Sequence, residues 1–336
     1  VLLKKEATMT KPLVCLLSCA VAMAAESGDP WRKHFDRAIE YRVAGDFDAA
    51  AKEMEQALVV SARFDEGDDR PIASLNALGA VYESLGRFRE AEKALRESLR
   101  RVERTRGRDH PQYAVALCNL GGLLSALGRR DIAGAMLKES LRLLERDPAA
   151  FALPLATTRN TLAGHLAGEG RYEEAADMLL AAHVTLARQL GATHEITLTA
   201  VNNLAVVRWR QKRYDESLSL LRGLSATIEE RLGPDHPHLV RSLNNLATVA
   251  TDAGRYDEAD GAFRRALAIA GQKLGPDHPN CAVVSLNYAH LLRRTGHKAE
   301  AKALEASSRK SLAAVALRNG NGMTINSQDM IGFRRR

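Results

Sequence analysis

The stretch Gly254-Arg255-Tyr256-Asp257-Glu258-Ala259 decides the fold, because the same phrase recurs along the chain. Close copies are Gly170-Arg171-Tyr172-Glu173-Glu174-Ala175, Gly86-Arg87-Phe88-Arg89-Glu90-Ala91 and Gly45-Asp46-Phe47-Asp48-Ala49-Ala50. Weaker ones begin at Lys212, Gly128 and Gly296. The first residues are therefore 45, 86, 128, 170, 212, 254 and 296, so each step is 42 residues except a first step of 41. A fixed period of this length marks a chain assembled from stacked copies of one small unit.

The unit follows from its residues. Ahead of the turn, apolar positions such as Leu243, Leu246, Ala247 and Ala250 fall at helical spacing. Glycine ends that helix, because it takes a left-handed cap without steric cost. The aromatic residue two places later packs into the crotch of a helical hairpin, and a second helix carries small and apolar residues such as Ala259, Phe263 and Ala266. A single hairpin cannot bury its apolar stripe, so neighbours must stack into a continuous core. The structural turn residues are Gly45, Gly86, Gly128, Gly170, Gly254 and Gly296.

The connections repeat as well. Leu232-Gly233-Pro234-Asp235-His236-Pro237 and Leu274-Gly275-Pro276-Asp277-His278-Pro279 have relatives at Gly107-Arg108-Asp109-His110-Pro111 and Gly191-Ala192-Thr193-His194. Gly closes the second helix, Asp is placed to cap the next one, and Pro suits its first turn.

The Gly-x-Tyr-x-x-Ala core resembles that of tetratricopeptide repeats. The 42-residue period, the Leu-Gly-Pro-Asp-His-Pro link and the string Leu243-Asn244-Asn245-Leu246-Ala247 resemble the kinesin-light-chain-like subclass, of the bacterial type. The resemblance implies an all-α, right-handed superhelical solenoid of about seven helix-turn-helix repeats over residues 31–310. The units fall at about 31–71, 72–113, 114–155, 156–197, 198–239, 240–281 and 282–310. Residues 305–318 are expected to form a C-terminal capping helix, followed by a flexible basic tail, 319–336, that ends in Arg334-Arg335-Arg336.

Composition agrees. The chain is 46% hydrophobic but only 5% aromatic, dominated by Ala and Leu, as closely packed helices require. A net charge of +7 over 336 residues is too dilute for a nucleic-acid-binding stripe. The start reads differently. Lys4, Lys5 and Lys11 precede an apolar run from Leu13 to Ala24, then the polar break Glu26-Ser27-Gly28-Asp29-Pro30. This matches a signal peptide over 1–25, cut near Ala24 or Ala25, and predicts export to the periplasm or beyond. Met9 offers a later start that leaves 1–8 untranslated. Leu16-Leu17-Ser18-Cys19 resembles a lipobox, making Cys19 the alternative lipidation site. No membrane-spanning segment is expected in the mature chain. Cys118 and Cys281 lie about four repeats apart, beyond the roughly 7 Å a disulfide allows.

Histidines beside acids at the junctions, His110, His194, His236 and His278, invite a metal reading. Equivalent positions in stacked repeats are separated by helix spacings of about 8–10 Å, whereas zinc needs nitrogens at about 2.0–2.1 Å. They read as turn residues. No phosphate-cradling loop or nucleophile elbow appears, so no enzyme activity, metal or cofactor is expected.

The better candidate is a concave groove lined by first-helix residues, which the resemblance implies. Counting each turn residue as position fifteen places Asn76, Asn160, Asn202 and Asn244 at position five, and Asn119, Asn203, Asn245 and Asn287 at position six. In this family groove asparagines hold the backbone of an extended peptide; the other role open to them is bonding between neighbouring helices. Positions two, twelve and thirteen of the last three repeats supply Arg241, Trp209, Arg210, Arg293 and Arg294, against Ser125, Ala126, Ala167 and Gly168 in the third and fourth. Arg grips carboxylates with paired hydrogen bonds, so an acidic peptide segment is the sharper expectation. Trp209 has a second reading, packing against a neighbouring repeat. The function implied is a non-enzymatic protein–protein scaffold. The alternatives are an envelope assembly component using its ends or convex face, or a cytoplasmic regulatory adaptor if the leader is an artefact.

Overall fold

Each glycine that closes a first helix does so in the same way. Gly254 has φ 78°, its N–H reaches Thr251 O, and Arg255 N–H reaches Ala250 O at 2.8 Å. These two bonds satisfy carbonyls that a helix end leaves open. The long bond is repeated by Asp46 to Tyr41, Arg87 to Tyr82, Arg129 to Leu124, Arg171 to Leu166, Arg213 to Arg208 and His297 to Leu292. Seven turns thus carry one geometry.

The computed structural model describes residues 29–273, 275 and 278–318. The leader with Cys15 and Cys19, and the tail 319–336, lie outside the described residues. Fourteen helices occur among those described. In chain order they are α1 (Pro30–Ala44), α2 (Phe47–Ser61), α3 (Arg70–Ser84), α4 (Phe88–Arg106), α5 (Pro111–Ala126), α6 (Arg130–Leu144), α7 (Ala152–Gly168), α8 (Tyr172–Leu190), α9 (Glu195–Arg210), α10 (Tyr214–Leu232), α11 (His238–Asp252), α12 (Tyr256–Lys273), α13 (Pro279–Arg294) and α14 (Lys298–Arg318). Odd-numbered helices are the first of a pair and even-numbered ones the second. The described residues divide into two compact units, 29–165 and 166–318.

Within each unit, consecutive helices pack on one another, and first helices also touch first helices: α1 with α3, α3 with α5, α9 with α11, α11 with α13. Among the described residues no two second helices approach as closely. The first helices therefore line the inner face of each stack.

Close approach depends on two small positions. Position eight of the first helix is Ala38, Gly79, Gly121, Ala163, Ala205, Ala247 and Ala289, all buried. Position twenty of the second helix is Ala50, Ala91, Ala133, Ala175, Ser217, Ala259 and Ala301, each 0% exposed. Ser217 shows the contact directly, donating to Ala205 O at 2.7 Å. Larger residues at position twenty-four fill the space beside them, including Met54, Leu95, Leu137, Leu221 and Phe263.

Two expectations need correcting. No separate capping helix begins at 305, because α14 runs unbroken from Lys298 to Arg318 as the second helix of the last pair. That segment contains no Gly or Pro to stop it. The junction cap is also not the aspartate. His110 Nδ1 accepts from Gln112 N–H at 3.2 Å, His194 from Ile196 at 3.3 Å, His236 from His238 at 3.2 Å and His278 from Asn280 at 3.1 Å. Asp68 occupies the same place before α3, accepting from Arg70 N–H at 2.8 Å. Asp109, one residue before His110, instead pairs with Arg146 at 2.7 Å.

Candidate functional site

The position-five asparagines all lie on first helices and all are buried: Asn76 is 3% exposed, Asn160 2%, Asn202 2% and Asn244 3%. Their partners are protein groups. Asn76 Oδ1 accepts from Ser98 Oγ of α4 at 2.8 Å. In the second unit the two asparagine positions interlock across helices. Asn287 Nδ2 donates to Asn244 Oδ1 at 3.0 Å, and Asn245 Nδ2 donates to Asn202 Oδ1 at 2.8 Å. Asn244 Nδ2 faces Asn245 Oδ1 at 3.5 Å. A row of amides thus ties α13 to α11 and α11 to α9. Of the two roles open to these residues, the geometry supplies the bonding between helices. An amide serves here because its donor and acceptor satisfy one another away from water.

The basic and aromatic candidates separate into two places. Trp209, at the end of α9, is 5% exposed, and its Nε1 donates to Asp252 Oδ2 of α11 at 3.0 Å. The indole therefore packs against the next repeat. The Arg210 guanidinium lies 4.7 Å from its ring centroid. Arg294, at the end of α13, donates to the Tyr256 hydroxyl at 3.2 Å and lies 3.9 Å from the other Asp252 oxygen. Asp252 is the residue that sequence reasoning missed. It occupies position thirteen between Arg210 and Arg294, so the register would have found it, and it sets a negative charge inside the basic row.

Arg293 is engaged within its own hairpin, making two bonds to Glu305 of α14, at 2.8 and 2.7 Å. This pairing holds the Glu305 carboxyl below the usual range and raises Arg293. Arg241 is elsewhere, exposed near the start of α11, where it lines a small cleft with Glu195, Asn202 and His238. Eleven residues separate Arg241 from Asp252, about 16 Å along a helix. The row Trp209, Arg210 and Arg294 is one place, and Arg241 is another.

Among the described residues no group of three His, Cys, Asp or Glu side chains is arranged to hold a metal. No described helix is long and apolar enough to cross a membrane. Cys118 and Cys281 are both buried and neither is in a disulfide, and burial pushes the Cys118 thiol up.

The tetratricopeptide repeat profile matches five stretches, 34–104, 70–146, 154–222, 197–272 and 241–314. The chain belongs to the tetratricopeptide repeat family. Solved structures agree in fold. BtubC (BKLC) from P. vanneervenii is 21% identical, with 73% of this chain and 92% of that one covered, at a TM-score of 0.52. The apo form of RapI is 12% identical, covering 84% of this chain and 99% of that one, at 0.58. A Rap protein complexed with competence and sporulation factor is 14% identical, covering 89% and 99%, at 0.54. No curated protein matches. At these identities the likeness speaks for the fold alone. The 42-residue spacing and junction sequence resemble those of the kinesin-light-chain-like kind, and the tetratricopeptide repeat fold supports a scaffold for protein–protein interaction.

Proposed function

We propose that the chain is a non-enzymatic adaptor whose second unit, residues 166–318, grips an acidic segment of a partner protein along its first-helix face. The observation that carries this reading is the placement of Arg210 and Arg294 at the ends of α9 and α13. Each lies beside an aromatic ring, Trp209 and Tyr256, and Arg294 is exposed. Aromatic stacking holds a guanidinium in a fixed orientation, which lowers the entropy lost when it meets a carboxylate. The matching positions of the third repeat are Ser125 and Ala126, with no charge to offer. Asp252 between the two arginines spaces the positive charge into separate points, so a segment with alternating acidic residues fits better than a continuous acidic run.

Arg293 is left out of this site, since Glu305 already occupies its guanidinium. The buried asparagines keep the face in shape and are not its contact residues. The leader adds an exported compartment to the proposal, periplasmic or secreted, with lipid anchoring through Cys19 as the variant.

The test is binding of a labelled Glu-Ala-Glu-Ala-type peptide to the full chain, followed by fluorescence anisotropy. Arg210→Glu with Arg294→Glu is expected to weaken binding at least tenfold, while Arg293→Glu weakens it far less. Equal affinities for wild type and the double variant would overturn the assignment.

A further inference from the structure

The positive charge of the chain is concentrated. Residues 86–147, which span α4, α5 and α6, hold 14 Lys and Arg against 9 Asp and Glu, a net +5. Residues 148–273 hold 14 of each, a net of zero. The fold puts much of this excess on one face. Positions twenty-five, twenty-nine and thirty-three of the repeat are Arg96, Arg100 and Arg104 in the second repeat and Lys138, Arg142 and Arg146 in the third. Every other repeat has a single Lys or Arg at these three places, so the packing of the unit does not require them.

These side chains lie on the outer side of the stack. The opposite sides of α4 and α6 bury Leu95, Ser98 and Val102, and Leu137, Ser140 and Leu144. Five of the six cations are exposed and Arg96 is partly so. Each row of three spans about 12 Å at 1.5 Å per residue. Both helices pack on α5, so the rows lie within two helix spacings, about 20 Å at most. Neighbouring carboxylates do not cancel the face. Arg100 pairs with Glu97, Arg104 with Glu66 and Arg142 with Glu139, yet these arginines keep 66, 56 and 56% of their side-chain surface open. A guanidinium has five N–H donors, and an exposed ion pair is held weakly. Arg89, Lys93 and Arg130 add charge beside the rows, and like Lys138 they have no ion pair among the described residues.

We propose that this outer side of α4 and α6 is a docking surface for a bilayer rich in anionic phospholipid. Two parallel rows of cations match phosphates spread over a plane, whereas a nucleic-acid duplex presents them along one axis. The six positions carry no apolar side chain, so the contact is with headgroups and not with the acyl layer. Cys19, the alternative lipidation site, stands eleven residues before α1 of the same unit, a reach of under about 40 Å. A single acyl chain anchors a protein only marginally, and a basic patch is the second signal that makes anchoring stable. The surface is separate from the peptide site on the second unit and stands without it.

The full chain is sedimented with sucrose-loaded vesicles of phosphatidylcholine alone and of phosphatidylcholine with about one-third phosphatidylglycerol. The apolar run 13–24 is common to every variant and meets both vesicles, so the comparison removes its share. Affinity for the anionic vesicles is expected to exceed that for the neutral ones at least tenfold. Arg89→Glu, Lys93→Glu, Arg130→Glu and Lys138→Glu together, which break no ion pair, should abolish the difference. The same change of net charge on the second unit, Arg188→Glu, Lys273→Glu, Lys302→Glu and Lys310→Glu, should leave it within about threefold. Equal binding to both vesicles, or equal loss in the two variants, overturns the proposal. Tighter binding to a DNA duplex at the same phosphate concentration also overturns it and makes this a nucleic-acid face. If the first variant does not fold, Lys93→Gln with Lys138→Gln is measured instead, and an undiminished preference for anionic vesicles overturns the proposal. The Arg210→Glu, Arg294→Glu variant should bind vesicles as wild type does, so failure here and failure of the adaptor reading are told apart.

Discussion

Lys212 occupies the turn position that six other repeats fill with glycine, and its φ of 62° is the only positive value for a described non-glycine residue. An L-residue pays about 1–2 kcal/mol for that conformation. Lys212→Gly is accordingly expected to stabilise the chain by about 0.5–1 kcal/mol after the entropy of the unfolded glycine is counted, seen as a higher urea midpoint. Gly79 shows the opposite constraint. A Cβ there would lie 2.5 Å from Leu95 Cδ2 and 2.6 Å from Cγ, so the side chain cannot simply swing its tip away. Gly79→Ala should cost about 1–3 kcal/mol by overpacking, although alanine is the better helix former. Gly45, Gly128, Gly170, Gly254 and Gly296 have open space around the missing Cβ, and only their φ matters. A destabilised Lys212→Gly, or a Gly79→Ala as stable as wild type, would contradict these two accounts.

The junction histidines act on whole helices. Each offers Nδ1 to the N–H two residues on, which requires that nitrogen to be unprotonated. Protonation removes the cap and sets a cation at the positive end of the helix. Burial depresses the pKa of His110, His236 and His278 in the folded chain. The unfolded state, with histidine near 6.5, then takes up protons first as pH falls. Stability should be level above about pH 7 and decline below about 6.5 toward the folded pKa values, ahead of the carboxylates near 4. His183 and His238, also depressed, contribute with the same sign. Replacing His110, His236 and His278 by Asp, the residue that Asp68 shows to fit this place, should remove more than half of the fall in melting temperature between pH 7 and 5. An unchanged slope would mean the caps carry no such weight. Histidine in the link was legible in the sequence, but its job was not, since Asp and His stand side by side and only the backbone decides which faces the N–H. The hairpins were legible because glycine and the period mark every turn. The end of the last helix was not, as Ala, Ser and Lys permit it to continue. The asparagine row was half legible: register put position five beside position six, and burial then chose the partner.

At the scale of the molecule, the surface is laced with ion pairs within hairpins and between them, and these must be separated from charge that serves binding. Arg106 reaches Asp69 at 2.7 Å, Arg146 reaches Asp109 at 2.7 Å, and Arg222 holds Glu258 through two bonds of 2.8 Å. These pairs are partly exposed, and such pairs contribute about 0–1 kcal/mol each. The cores lie elsewhere, in the stacked apolar residues around Trp31 and Met54 and around Phe263 and Leu221. Raising NaCl from 50 to 500 mM shortens the screening length from about 14 to about 4 Å. Melting temperature should therefore move by only a few degrees over that range. Affinity for an acidic peptide should fall at least tenfold, because its attraction to Arg210 and Arg294 begins in solvent and acts over several ångströms. The two readouts part company for a physical reason: the ion pairs are already in contact and small in net value, whereas an incoming anion approaches through salt water. A salt-insensitive affinity would place the binding energy in apolar contacts and shift attention from the arginines to the rings of Trp209 and Tyr256 beneath them.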